Sequence, residues 1–459
     1  MTNYHTSPHI DADAEICTIA STHADVSRVG AACRTIGSRY GPLLFGLAAL
    51  LIVASPVSAE DQTSAQQGSK LVGTGAIGPA EQGWSVALSG DGNTAIVGGV
   101  ADNRAAGAAW VFTRSGNVWT QQGSKLVGTG AEGSAGQALS VALSDDGNTA
   151  IVGGPWDSAR AGAAWLYTRS GDVWTQRGSK LVGTGAVGNA GQGVSVALSA
   201  DGNTAVVGGS GDNSDTGAAW VYTHSGDAWT QQGSKLIGTD AVGKAGQGRS
   251  VALSDDGNTA IVGGVVDNGG IGAAWVYTRS GGVWAQQGTK LVGSGAVGKA
   301  EQGLSVSLSG DGNTAIVGGP GDNSGAGAAW VYTRSGGVWA QQGSKLVGTG
   351  AVGNAGQGRS VSLSGDGNTA IMGGVGDNSR AGAAWVHTRS GGVWAQQGSK
   401  LVGTGAVGHA GQGDSVSLSG DGNTAIVGGL TDNRVTGAAW VHTRSGGEWN
   451  QTPAQHLGY

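Results

Sequence analysis

Leu304-Ser305-Val306-Ser307-Leu308-Ser309-Gly310-Asp311-Gly312-Asn313-Thr314-Ala315-Ile316-Val317 alternates apolar with small polar residues, turns at Asp-Gly and resumes with a β-branched run. That pattern reads as a tight antiparallel hairpin, strands A and B. A loop from Gly318 to Gly327 leads to Ala328-Ala329-Trp330-Val331-Tyr332-Thr333-Arg334, and Ser335-Gly336-Gly337 turns the chain into a further run from Val338 to Val347. These are strands C and D, and a Gly-rich loop from Gly348 to Gly358 opens the next copy. The landmark S-V-(A/S)-L-S begins at Ser85, Ser140, Ser195, Ser250, Ser305, Ser360 and Ser415, a period of 55 residues with no insertion or deletion. Short β-type runs at that period, without helical periodicity, predict an all-β fold: a seven-bladed β-propeller of four-stranded antiparallel blades, one repeat per blade. Gln66–Val72 is expected to supply the outer strand of the last blade, because Pro453 and His456 spoil the carboxy-terminal copy of that strand.

The 92 glycines fall at fixed turn positions between β-branched and aromatic runs, and Pro is only 7, so the composition marks turns rather than disorder. Charged residues make up 12 % and the formal net charge is −6, which leaves no basic stripe to displace counterions from a nucleic acid.

Residues 1–59 stand outside the repeats. Arg34 and Arg39 precede an apolar run from Pro42 to about Pro56, followed by Val57-Ser58-Ala59, the order of a secretory signal peptide cleaved after Ala59. The apolar run is short for a membrane span, which needs roughly 20 residues. Residues 60–459 are assigned to the propeller. Cys17 and Cys33 both lie in the leader, so the exported chain has no thiol for disulfides, catalysis or metal. Localisation is read as secreted, periplasmic or cell-envelope, with no membrane span after cleavage, and the protein as a monomer.

Fourteen of the sixteen tryptophans recur at two places, on strand C (Trp110 to Trp440) and at the start of strand D (Trp119 to Trp449). With only two Phe in the chain, the packing between blades must draw its volume from these indoles. Lys70, Lys125, Lys180, Lys235, Lys290, Lys345 and Lys400 recur on the outermost strand, where lysine deters edge-to-edge pairing.

The repeat resembles the FG-GAP repeats of integrin-like seven-bladed propellers, and more closely a bacterial variant of the form G-x-S-V-A-L-S-x-D-G-N-T-x-x-V-G…G-A-A-W-V-Y-T-R-S-G…W, from about Gln66 to Trp449. That resemblance implies adhesion, lectin-like or other secreted functions. The chain departs from the pattern in having Gln302-Gly303 where Phe-Gly should stand, and Gly318-Gly319-Pro320 for Gly-Ala-Pro. Calcium-binding blades of that family carry D-x-D-x-D-G, whereas the A–B turn here offers a single Asp or an Asp pair beside Gly. Asp-Asn pairs in the B–C loop, with Asp322 and Asp377 as the test positions, are the weak candidates for calcium, and no cofactor is expected.

The copies differ mainly in the D–A and B–C loops, which strand topology places on one face. The residue opening strand A reads Trp84, Leu139, Val194, Arg249, Leu304, Arg359 and Asp414. Arg249 and Arg359, with Lys244, Lys299 and Asn354 close in sequence, form a candidate cationic surface near the channel mouth. The histidines His224, His387, His409, His442 and His456 form no triad, and no zinc motif or phosphate loop is present. Two functional classes stand open. One is a binding or adhesion module for a protein or glycan ligand, anionic in character, at Arg249, Arg359, Lys244, Lys299, Asn354 and Trp84. The other is an exported enzyme acting on polysaccharide in the central channel. Uniform Ser, Val, Ala and Leu on the inner strands favour binding.

Overall fold

The computed structural model describes residues 65–226, 228–444 and 449; the leader, its cysteines, the cleavage site and the carboxy-terminal Pro453 and His456 lie outside them. The seven-bladed propeller expected from the repeat is present: seven sheets of four antiparallel strands follow one another round a channel. In the fifth blade the strands are Ser305–Leu308, Thr314–Gly319, Ala328–Ser335 and Val338–Gln341, from axis to rim. The ring closes as expected from the sequence. Ala65–Gln66 pairs antiparallel with Ala438–Thr443, and Leu71 exchanges hydrogen bonds with Ala439, so the amino-terminal segment is the outer strand of blade seven. Trp449 is buried at 2 % exposure against Ile371 and Leu401.

Strand D is shorter than the sequence suggested. After Gln342, whose N–H still donates to Val331, the chain leaves the sheet, turns at Gly343 (φ +70°) and rejoins strand C where Leu346 pairs with Ala329. That excursion carries Lys345 inward. Its Nζ meets Asp322 Oδ2, and the same pair recurs in every blade, Lys70–Asp432 included, at 2.5–2.7 Å. The aspartates are 0–1 % exposed and the lysines 15–21 %. These lysines are therefore not edge guards: each neutralises a buried carboxylate.

The blades pack face to face. The strand-C tryptophans are fully buried, and each donates its Nε1 hydrogen to a D–A loop carbonyl, as Trp330 does to Ser294 at 2.8 Å. A β-carbon on Gly293 or Gly319 would overlap the Trp330 indole, so the glycines on both sides are steric requirements. The strand-D tryptophans divide from this set. Those from Trp119 to Trp394 are only partly buried, and most lie under a guanidinium, as Arg334 over Trp339 at 5.4 Å. Five of the six donate Nε1 to a Gln of the preceding blade, as Trp339 does to Gln287 at 2.9 Å; for Trp229 the equivalent position is Arg177.

Gln82 and its equivalents are 0–1 % exposed. Gln302 Oε1 accepts the Gly293 N–H at 2.6 Å and Nε2 donates to the Gly293 carbonyl at 3.2 Å. This explains the departure from Phe-Gly: the side chain here satisfies both polar groups of a buried loop peptide, which an apolar ring would leave unpaired.

The tight turns on one face are cross-linked. Asp311 accepts from Ser309, from the Asn313 backbone and from the Asn313 side chain, while Arg334 binds Asn313. Burial opposes the charge of Asp311, but these bonds and Arg334 hold its carboxyl below the usual range. On the channel side of the same turns, seven backbone hydrogen bonds form one circuit: Gly90 donates to Asp145, then Ala200, Asp255, Gly310, Gly365 and Gly420 follow, and Gly420 donates to Gly90, all at 2.8–3.0 Å.

Strand C carries Phe112, four tyrosines, His387 and His442 at one repeat position. Both histidines are buried, at 4 % and 0 % exposure, and burial pushes each imidazole down to about 4. The folded value lies below the unfolded one of about 6.5, so between pH 6.5 and 4 the unfolded chain takes up protons that the folded chain refuses. Stability is complete above pH 6.5 and falls by about 3 kcal/mol per histidine as pH drops to 4. Thermal melts of H387Y/H442Y, with the tyrosine that four blades already carry, should lose most of that dependence between pH 7 and 4.5. A variant as acid-sensitive as the parent there would place the effect elsewhere.

Candidate functional site

The B–C loops, which carry much of the variation, are single left-handed turns. In blade five Asn323, Ser324 and Gly325 have φ of 49°, 60° and 92°; in blade two Ser158, Ala159 and Arg160 have 48°, 56° and 74°. Such backbone costs roughly 1–2 kcal/mol for each residue other than Gly, less for Asn. The preceding Asp holds it in place: Asp322 Oδ1 accepts the Val297 N–H at 2.7 Å, Oδ2 binds Lys345, and its carbonyl accepts the Gly327 N–H at 2.9 Å. Asp377 is held identically by Val352 and Lys400. The two weak calcium candidates thus bind an ammonium and a loop amide. Among the described residues no group of three or more His, Cys, Asp or Glu side chains could hold a metal ion.

On this invariant frame the variable residues converge. Trp84, Leu139, Val194, Arg249, Leu304, Arg359 and Asp414 ring the channel mouth, all partly exposed, above rows of Ser and Val. The two arginines differ. Arg359 Nε binds Asp414 Oδ1 at 3.0 Å, with the Asp414 side chain only 6 % exposed. Burial and the charge of Asp414 hold Glu81 above the usual carboxylate range. Arg249 has no side-chain hydrogen bond or ion pair among the described residues; burial, and next the repulsion of Arg359, lower its affinity for its proton, while Asp414 opposes them. Arg249 is therefore a half-buried cation in want of an anion.

Trp84 lies where three hollows meet. On one side a cavity of about 590 Å³ is shared with Trp156, Arg160, Asn189, Ser214 and Arg249. On the other, about 630 Å³ is shared with Glu301, Asn354, Arg359, Arg380 and Asp414. The third is the channel mouth itself. The two tryptophans outside the repeat positions, Trp84 and Trp156, thus line one cavity. Trp156 is 36 % exposed and lies over Gly136, where no β-carbon fits.

Of the residues expected at the site, Trp84, Arg249, Arg359 and Asn354 are brought to these hollows. Lys244 and Lys299 line none of them. Lys244 sits on the rim, 3.4 Å from Asp215, with both side chains about two-thirds exposed; exposed Lys299 lies near Gly270. Sequence reasoning missed the Asp414 partner, although it occupies the same repeat position as Arg359 in the next blade. It missed Arg160, and it counted Arg380 among the varying B–C loop residues without placing it at the site; both differ from the residues at their position in neighbouring copies.

No protein-family model matches the chain, and a comparison with curated proteins returns no relative. Among the described residues no helix is long and apolar enough to cross a membrane. The arrangement offers an anion a guanidinium, and a ring or apolar surface two indoles.

Proposed function

We propose that the chain is a binding module of the FG-GAP-like kind, exported from the cell, that takes an anionic protein or glycan ligand at the channel mouth. One observation carries this reading. The residues that break the repeat converge round a partly buried Arg249 that has no side-chain partner among the described residues, whereas the turns on the opposite face are locked by side-chain hydrogen bonds and barely vary. A cation in that setting is stabilised by a ligand carboxylate or other oxyanion, through charge-assisted hydrogen bonds.

The test is R249L, since Leu139 and Leu304 already occupy this position in other blades. Titration of acidic oligosaccharides and Glu-rich peptides into the parent should find ligands whose affinity falls as salt rises, and R249L should bind them at least about tenfold more weakly with its melting temperature kept. Equal binding by R249L across all the ligands found would place the functional surface elsewhere.

A further inference from the structure

Trp84 lines two hollows, and each holds arginines with no side-chain partner among the described residues: Arg160 and Arg249 on one side and Arg380 on the other. We infer that the ligand is an acidic polysaccharide lying across the channel mouth, with sugar rings resting on Trp84 and Trp156 and uronate carboxylates reaching Arg249 and Arg380. This rests on the reading of that face as the binding surface and names the chemistry it recognises.

The fit is chemical. A pyranose ring presents an apolar C–H face edged by hydroxyls, and an indole is a flat apolar plate of matching size. Asn189 and Ser214 stand in the Trp156 cavity, and Asn354 in the other, to meet hydroxyls. A uronate adds one negative charge per ring, which one guanidinium binds through two parallel hydrogen bonds. The cations are spread over two hollows rather than gathered at one point, which suits charges spaced along a polymer. A phosphate ester would call for several donors on one group, as at a helix terminus or backbone nest. An acidic peptide would use the arginines but leave the two indoles without a planar partner. Trp84 lines both openings and the channel mouth between them, so a chain several sugars long that rests on it reaches both.

Calorimetric titration with uronic-acid oligomers of one to six residues, and with neutral oligomers of the same linkage, tests this on the whole protein. Affinity should rise with length until both hollows are filled, and the neutral series should bind at least about tenfold more weakly. W156A should weaken the acidic hexamer about three- to tenfold, and W84L likewise; Leu stands at that position in blades two and five, so the second variant keeps its fold. If Glu-rich peptides bind as well as the uronates and both Trp substitutions are silent while R249L is not, the polysaccharide inference fails and the anion-binding reading stands. If R249L is silent as well, both fail. No binding by any uronate oligomer, or tighter binding of a nucleotide than of the hexamer, also overturns the inference.

Discussion

A chain lacking residues 65–72 is expected to lose at least about 10 °C in melting temperature and to unfold over a broader range. Three losses combine. Asp432, 1 % exposed, keeps its Val407 amide but loses Lys70; breaking one partner of a buried pair costs about 3–5 kcal/mol. Leu71 leaves a site where it is 6 % exposed, and emptying such a site costs about 2–5 kcal/mol. The Ala438–Thr443 strand becomes an unpaired edge. Gln67, which accepts from Arg114 and Trp119 of blade one, also disappears, so both sides of the seam are weakened. Against a total stability of about 5–15 kcal/mol these losses decide whether the ring folds. A synthetic peptide of residues 65–76 added in excess should restore much of the loss by mass action. A fall under about 3 °C would show that blade seven closes without this segment.

The second large effect is expected from K345M. If lysine guarded an exposed edge, replacing it would change stability little and raise aggregation. Because Lys345 faces a carboxylate that is 1 % exposed, the substitution should cost about 3–5 kcal/mol in chemical denaturation. Adding D322N should recover more than half of that, since an amide oxygen still accepts the Val297 N–H and no charge is left buried. A single-substitution cost below about 1 kcal/mol would return the lysine to an edge role.

The architecture was legible because the repeat is a physical argument: strand-length runs, Asp-Gly turns and a fixed period leave few ways to bury seven copies. Ring closure could also be read, from Pro453 at the place where a strand should be. What escaped was any property set by loops folding back across sequence. Lys345 sits on what looked like a strand, and only the departure of the chain at Gly343 aims it at Asp322. Gln302 looked like a degenerate Phe until its two bonds to Gly293 were seen. The expected cationic surface is brought together only in part. Arg249 and Arg359 do meet at the channel mouth, but Lys244 and Lys299 line none of the hollows, and Asp414 had been counted as one more variant rather than as the partner of Arg359. The meeting of Trp84 with Trp156 depends on curvature that brings loops of blades one and two over one cavity, and no spacing in the chain announces it.

The circuit of peptide hydrogen bonds from Gly90 round to Gly420 bears on which end of the channel can recognise anything. A helix aligns its peptide dipoles in a row and ends in partial charges that attract ions. Here the donor–acceptor bonds follow one another round a circle, so their components in the plane of the ring cancel. The circle has no first donor and no last acceptor. That end of the axis therefore gains cohesion without acquiring a backbone pole, and electrostatic selectivity along the axis comes from side chains: Asp145 and Asp255 at this end, where burial and then the charge of Asp145 hold the Asp255 carboxyl above the usual range, and Arg249, Arg359 and Asp414 at the other.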